Sequence, residues 1–341
     1  MKEARPKPSF TEVALKSKGA MVIGGGGGDF INGIPIVNYL RLLGVEKIYI
    51  GGFGCQWLYN LRSPYHYAPA PCVFSIDQLE NVERIADTFA LISKTSKIET
   101  EIYSGPLVEA IIGDAFNLPS FIVTMDKGVT GAVRGLNEAI RKLGIDLIVG
   151  VECGGDALCT GKEAKILTPL HDAIMVATLA SMDIPSFLAL TGYAADGELS
   201  VEELERAWSE IARDGGYLGA IGITQKDVRD LERAWEVSIL YDPIDVCVLH
   251  AAKGAIHEQR TLRGRSVKLN PLMAVILFLD PKVVLKHGIA KELIDTSSLR
   301  EAEERLLAMG IYPETRCRNP SEPVWEPHPK VDRKWIHRSS E

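Results

Sequence analysis

Short apolar runs alternate with helical patterns along most of the chain, starting with Ala20–Ile23, a glycine run, and a helix from about Asn32 to Leu43. A parallel sheet produces this alternation, because its strands are buried on both faces and helices make the crossovers. The same reading places strands at Lys47–Ile50, Ile98–Tyr103, Ser120–Met125, Asp146–Val151, Ser186–Leu190 and Val246–His250, with "SVKL" and Ala274–Leu279 as the last. Helices are predicted at Pro106–Ile112, Thr130–Leu143 and Pro169–Ser181. Capping signals add more: Asp77 with Glu80 predicts a helix to about Ser93. Ser200 with Glu203, Thr224 with Asp227, and Ser298 open helices ending near Arg213, Val237 and Met309. The expectation is one α/β domain over residues 20–311, with a largely parallel sheet flanked by helices and a short N-terminal segment, residues 1–19.

After Tyr312 the periodicity stops. Residues 312–341 are rich in proline and basic side chains, and read as a tail lying over the surface. The other reading is an arm that reaches a neighbouring subunit with Trp325 and Trp335 as anchors, which goes with an expected homo-oligomer.

Bulk composition narrows the function classes. The 341 residues carry 38 Lys and Arg against 45 Asp and Glu, a net charge of −7, so the overall field does not attract nucleic acid. Six cysteines without a CxxC pair point neither to a zinc site nor to a disulfide framework. No signal-peptide pattern and no apolar stretch of ~18 residues is present, so a cytoplasmic protein is expected.

In an open parallel sheet, ligands bind beyond the carboxyl ends of the strands. Six predicted strand exits carry glycine, and most also carry a charged or polar group. The first is "GGGGGD", Gly24 to Asp29. It matches neither the dinucleotide fingerprint nor a Walker loop, which leaves a strand, a bare loop and a helix start. Gly24, Gly25, Gly26, Gly27 and Gly28 are expected to hold an anion through backbone N–H groups. Asp29 would then hold a cation, a ribose hydroxyl or an amine, or simply cap the helix. The second exit, "GGFGCQW", adds Gly52 and Gly54.

"VECGGDALCTGKE" places Glu152 and Asp156 on either side of Gly154 and Gly155, with Thr160 following. A tight turn can bring both carboxylates to one spot, which suits magnesium or an acid/base pair. Asp196 and Glu198 leave the next strand, and His171 and Asp172 open the helix of "TPLHDAIMV", where a capping or surface role is the blander reading. The basic stretch from Lys253 to Lys268 offers a phosphate clamp, an RNA contact or a subunit interface, but lacks interleaved aromatics for base stacking.

"GGGGGD", "VECGGDALCTGKE" and "TPLHDAIMVATL" together resemble the mostly archaeal family catalogued as domain of unknown function 1152, over about Met21 to Met309. The resemblance implies a Rossmann-like, three-layer fold and an archaeal origin, and supplies no activity. The family more often has aspartate at the position of Glu152.

The residues themselves suggest a protein that binds a nucleotide or phosphorylated metabolite, as a magnesium-dependent hydrolase or transferase. In that reading Asp29 and Asp156 ligate the metal, Glu152 joins them at the reacting centre, and Lys253 offsets developing charge. The alternatives are a non-catalytic nucleotide sensor or assembly component, and an RNA- or ribosome-associated factor using residues 253–268.

Overall fold

The computed structural model describes residues 7–58, 71–255, 258–260 and 266–316. Nine strands form the main sheet and are numbered within it. They are β1 (Gly19–Gly24), β2 (Lys47–Phe53), β3 (Glu83–Ala86), β4 (Phe89–Ile92), β5 (Ser120–Val123), β6 (Leu147–Cys153), β7 (Ser186–Thr191), β8 (Tyr217–Gly222) and β9 (Val275–Leu279). Their spatial order is β8-β9-β7-β6-β1-β2-β5-β4-β3. The five central strands β7, β6, β1, β2 and β5 run parallel, and antiparallel pairs extend the sheet on both sides.

The order of these five strands positions the site. From β1 the chain moves to one side for β2 and β5, then returns to the other side of β1 for β6 and β7. The loops leaving β1 and β6 therefore diverge and leave a crevice at the carboxyl edge.

Among the described residues, ten α-helices accompany the sheet: α1 (Phe10–Ala14), α2 (Ile34–Leu42), α3 (Val108–Phe116), α4 (Gly128–Leu143), α5 (Pro169–Ala180), α6 (Val201–Arg213), α7 (Gln225–Val237), α8 (Val246–Ala252), α9 (Pro281–His287) and α10 (Leu299–Ala308). Side chains alternate across each strand, so Val22 on β1 joins a core with α2, α3, α7 and α8. Met21 and Ile23 face a second core with α4, α5, α9 and α10. Every residue of β1 and β6 is buried, which explains their unbroken apolar runs. The result is an α/β fold with helices on both faces of the sheet.

Caps set several boundaries. Ser200 with Glu203 and Thr224 with Asp227 form reciprocal capping boxes at the starts of α6 and α7, and Ser298 accepts from the Glu301 N–H at the start of α10.

Three expectations fail for identifiable reasons. The helix expected over Asp77–Ser93 is absent: a capping box of Ser75 and Gln78 closes only a 3-10 turn, and the chain then forms the β3–β4 hairpin. Its apolar residues Ile85, Phe89, Ala90 and Ile92 extend the sheet beyond β5. The strand expected at Val246–His250 is helix α8, whose first four residues are all buried. A short, wholly buried run has no periodicity to separate the two states. Within Ile98–Tyr103 only the stretch up to Glu99 is strand, in a separate small sheet.

"SVKL" contributes Ser266–Lys268 to a two-stranded ribbon with Glu258–Arg260, outside the main sheet. The sequence reading did not include α1, α9 or β8, an edge strand with two internal or terminal glycines and alternating exposure.

Candidate functional site

The crevice beside β1 holds a pocket of about 60 Å³. Gly26, Gly27, Asp29, Trp57, Cys153, Asp156, Thr168, His171, Asp172, Asp196, Asp242, Ile244 and Asp245 line it. Among the described residues that line it, six are aspartates and none is lysine or arginine.

The β1 loop is bare because carboxylates press on its backbone. A Cβ on Gly25 would fall well under 3.0 Å from Asp172 Oδ1, and one on Gly28 equally close to Asp245 Oδ2. Asp29 turns back on the loop, and its Oδ2 accepts the Gly26 N–H at 2.9 Å. The expected anion thus meets a position already held by the protein's own acid.

The β6 exit works in the same way. Glu152 Oε1 accepts the Gly155 N–H at 2.6 Å. Gly154 lies at φ +136°, a conformation open to glycine, and a Cβ there would collide with Asp196. Asp196 accepts the N–H groups of Asp156 (3.1 Å) and Glu198 (2.9 Å). Carboxylate oxygens of Glu152, Asp156 and Asp196 all lie within 4.8 Å of one another.

Glu198 is a fixture of the same corner. It accepts the Leu167 and Thr168 N–H groups at 2.6 and 3.0 Å and the Thr168 hydroxyl at 2.7 Å. That hydroxyl also lies 3.2 Å from Asp156 Oδ2.

Among the described residues, the acids of the site raise one another's pKa values. Burial first, and then the charge of Asp156 and Asp196, push the Glu152 carboxyl well above its ordinary range. Burial raises Asp156 likewise, followed by Asp172, Glu198 and Asp196. Asp29 is raised by burial and then by Asp245, whose carboxyl lies within hydrogen-bond reach and is itself raised by burial and Asp242. Asp172 is raised by burial and then by Asp29 and Glu152. Among the described residues, the charges that raise these groups are other carboxylates, which favours a proton or a bound cation at them.

Three buried atoms at the site find no hydrogen-bond partner: Glu152 Oε2, Asp172 Oδ1 and His171 Nε2. The other ring nitrogen of His171, Nδ1, lies 2.5 Å from Glu314 Oε1. Glu314 also accepts the N–H groups of Leu170 (3.0 Å) and His171 (2.9 Å), and so caps α5 from a remote 3-10 turn, Glu314–Arg316. Burial works to raise its pKa, but the His171 ring and these N–H groups outweigh burial and lower it. Residues 314–316 therefore belong to the packed structure, although they follow the point where sequence periodicity ends; Trp325 and Trp335 lie outside the described residues.

The predicted residues separate clearly. Asp29, Asp156, Gly26 and Gly27 line the pocket; Gly25, Gly28 and Gly154 lie against the lining acids Asp172, Asp245 and Asp196, and Glu152 holds the Gly155 N–H next to Asp156. Gly24 ends β1 with the Phe30 backbone against it. Thr160 lies outside, its N–H and hydroxyl both donated to Glu163. Lys253 is exposed and ion-paired with Glu232 on α7, so it does not offset charge in the pocket. His257, Arg263 and Arg265 of the basic stretch lie outside the described residues.

Gly54 packs against Phe74 and Gly52 faces Glu109, and neither is among the residues lining the pocket. Glu109 is buried in the first turn of α3, and desolvation raises its pKa from 4.5 to about 7. Stability from its bound proton is complete below the unfolded pKa and lost as pH rises through the folded one. The difference between the two values is worth about 3 kcal/mol. Glu109→Gln is therefore expected to match the wild type near pH 4 in urea unfolding and to exceed it by up to about 3 kcal/mol at pH 8. An unchanged difference across that range would contradict the burial argument.

Sequence reasoning missed Glu314, Asp242 and Asp245. The last two sit in "YDPIDV" just before α8, and reading the apolar run behind them as a strand concealed their place at a helix start. Five cysteines, Cys55, Cys72, Cys153, Cys159 and Cys247, are free and buried, in keeping with packing roles.

Fold and site define an α/β protein with a buried, acid-lined cleft at the carboxyl edge of its parallel strands. The chain belongs to the family described as "Protein of unknown function (DUF1152)", which it matches over residues 21–319, a span that includes Glu314. No curated protein and no solved structure matches it. No helix among the described residues is long and apolar enough to cross a membrane.

Proposed function

We propose that the protein is a divalent-cation-dependent enzyme, of hydrolase or transferase type, acting on a nucleotide or another phosphorylated metabolite. The carrying observation is Glu152 Oε2, a buried carboxylate oxygen without a donor, in a group with Asp156 and Asp196 whose oxygens lie within 4.8 Å. Three hard oxygen donors suit Mg²⁺ or Mn²⁺. The parallel-strand order β5-β2-β1-β6-β7 supports a doubly wound, Rossmann-like reading, in which ligands bind at the strand-order reversal beside this group.

The cation also answers an electrostatic question. A phosphorylated ligand entering a wall that carries six aspartates is repelled, and the Gly26 N–H is already occupied by Asp29. An ion held by Glu152, Asp156 and Asp196 would supply the positive charge that a phosphate requires, and would polarise the reacting phosphoryl oxygen. In this reading Asp29 is a loop cap paired with Asp245 rather than a metal ligand.

A thermal-shift screen of nucleotides and sugar phosphates, with and without Mg²⁺, tests the proposal, because a ligand of the folded state stabilises by mass action. The expected result is a shift that requires Mg²⁺, with Asp156→Asn abolishing turnover of the same compound. Equal shifts without Mg²⁺, or none at millimolar concentration, would count against it.

A further inference from the structure

His171 lines the cleft with one ring nitrogen unpartnered among the described residues and the other fixed. The ring is 1% exposed, and Nδ1 lies 2.5 Å from a carboxylate that is itself fully buried. Both Glu314 oxygens are held by backbone N–H groups at the start of α5, so the carboxylate cannot swing away. Nδ1 is engaged by Glu314, while Nε2 has no partner among the described residues and belongs to a residue on the pocket wall. Trp57 closes the other side, its ring centroid 5.7 Å from that of His171.

A purely structural histidine would have both nitrogens satisfied. An orienting carboxylate behind a pocket-lining histidine whose second nitrogen is left unpartnered is the arrangement of a general base. We propose that His171 is the proton-transferring residue of this cleft and that Glu314 is its positioning residue. This assignment rests on the phosphorylated-ligand reading above.

In the hydrolytic case Nε2 takes a proton from water as its oxygen forms the new bond to phosphorus. The bond from phosphorus to the leaving oxygen breaks, and the same proton passes to that oxygen. The ring ends as it began, and no oxidant or further reactant enters. In the transferase case the acceptor's hydroxyl replaces water.

The test combines two measurements on the full chain. ¹⁵N-histidine NMR at pH 7 is expected to show His171 protonated at Nδ1 and bare at Nε2. Turnover across a panel of nucleoside and sugar phosphates with Mg²⁺ is expected to fall 10²- to 10⁴-fold in His171→Gln. Glu314→Gln should lose at least tenfold, and both variants should keep Mn²⁺ affinity within about threefold of the wild type. A wild-type ring protonated at Nε2 and bare at Nδ1, or a His171→Gln variant with unchanged turnover, would overturn the assignment. If the wild type neither binds Mn²⁺ nor turns over any compound, the metal-enzyme reading fails instead. The tautomer, measured on the wild type, then decides for or against the dyad.

Discussion

In a chelating buffer the melting temperature falls as pH rises from 5.5 to 8.5, and Mg²⁺ or Mn²⁺ restores it at the alkaline end. Glu152, Asp156, Asp172, Asp29 and Asp245 all have pKa values pushed well above the ordinary carboxylate range, by burial first and neighbouring acids second. A raised folded pKa means that stability is complete below the unfolded value and is lost as pH climbs through the folded one. At pH 8.5 protons are scarce, and the acids repel unless a cation replaces them. A cation at a hundred times its dissociation constant adds about 2.7 kcal/mol. At pH 5.5 protons compete for the same oxygens, so the gain shrinks. Melting scans at the two pH values, with EDTA and with Mn²⁺, check this. A cation effect equal at both would show that the acids are not its seat.

The second large effect is structural. Gly154→Ala introduces a side chain at φ +136°, where L-residues are strained, and drives its Cβ into Asp196. Backbone strain of about 1–3 kcal/mol adds to overpacking of similar size, so a loss of roughly 3 kcal/mol in urea unfolding is expected. Because Asp196 must move, Mn²⁺ binding should weaken in the same variant even under conditions where it is folded. Gly215→Ala is the matched control: it also has positive φ, at +72°, but no atom lies within 4 Å of its added Cβ. A Gly154→Ala variant as stable as Gly215→Ala would refute the claim that this glycine exists to admit a carboxylate.

Much of the parallel core could be read from sequence, for a physical reason. Strands such as β1 and β6 are buried on both faces, and their helices carry capping boxes such as Ser200 with Glu203. The edge additions were harder, because the β3–β4 hairpin begins with a real capping box at Ser75 and Gln78 that belongs to a single turn. The carboxyl edge, with Asp29, Glu152 and Asp156, followed from the strand exits. The acids that complete the site did not. Asp242 and Asp245 lie far along the chain behind a misread helix, and Glu314 reaches His171 across 143 positions. Such pairings come from tertiary packing and leave no local spacing to detect.

The glycine run shows the same limit. Its composition implied a loop that a ligand's anion approaches closely. Close approach does occur, but the groups that approach are Asp172 and Asp245 of the chain itself. A loop without side chains is as useful for admitting internal carboxylates as for admitting phosphate, and the sequence does not distinguish the two.

The most direct measurement is the free-ion EPR signal of Mn²⁺ titrated into the full chain at pH 7.5. Saturable uptake is expected in the wild type, unchanged in Lys253→Met and weakened at least tenfold in both Asp156→Asn and Asp196→Asn. Wild-type protein that leaves all the Mn²⁺ free, or aspartate variants that bind it as tightly as the wild type, would contradict a divalent-cation site at Glu152, Asp156 and Asp196.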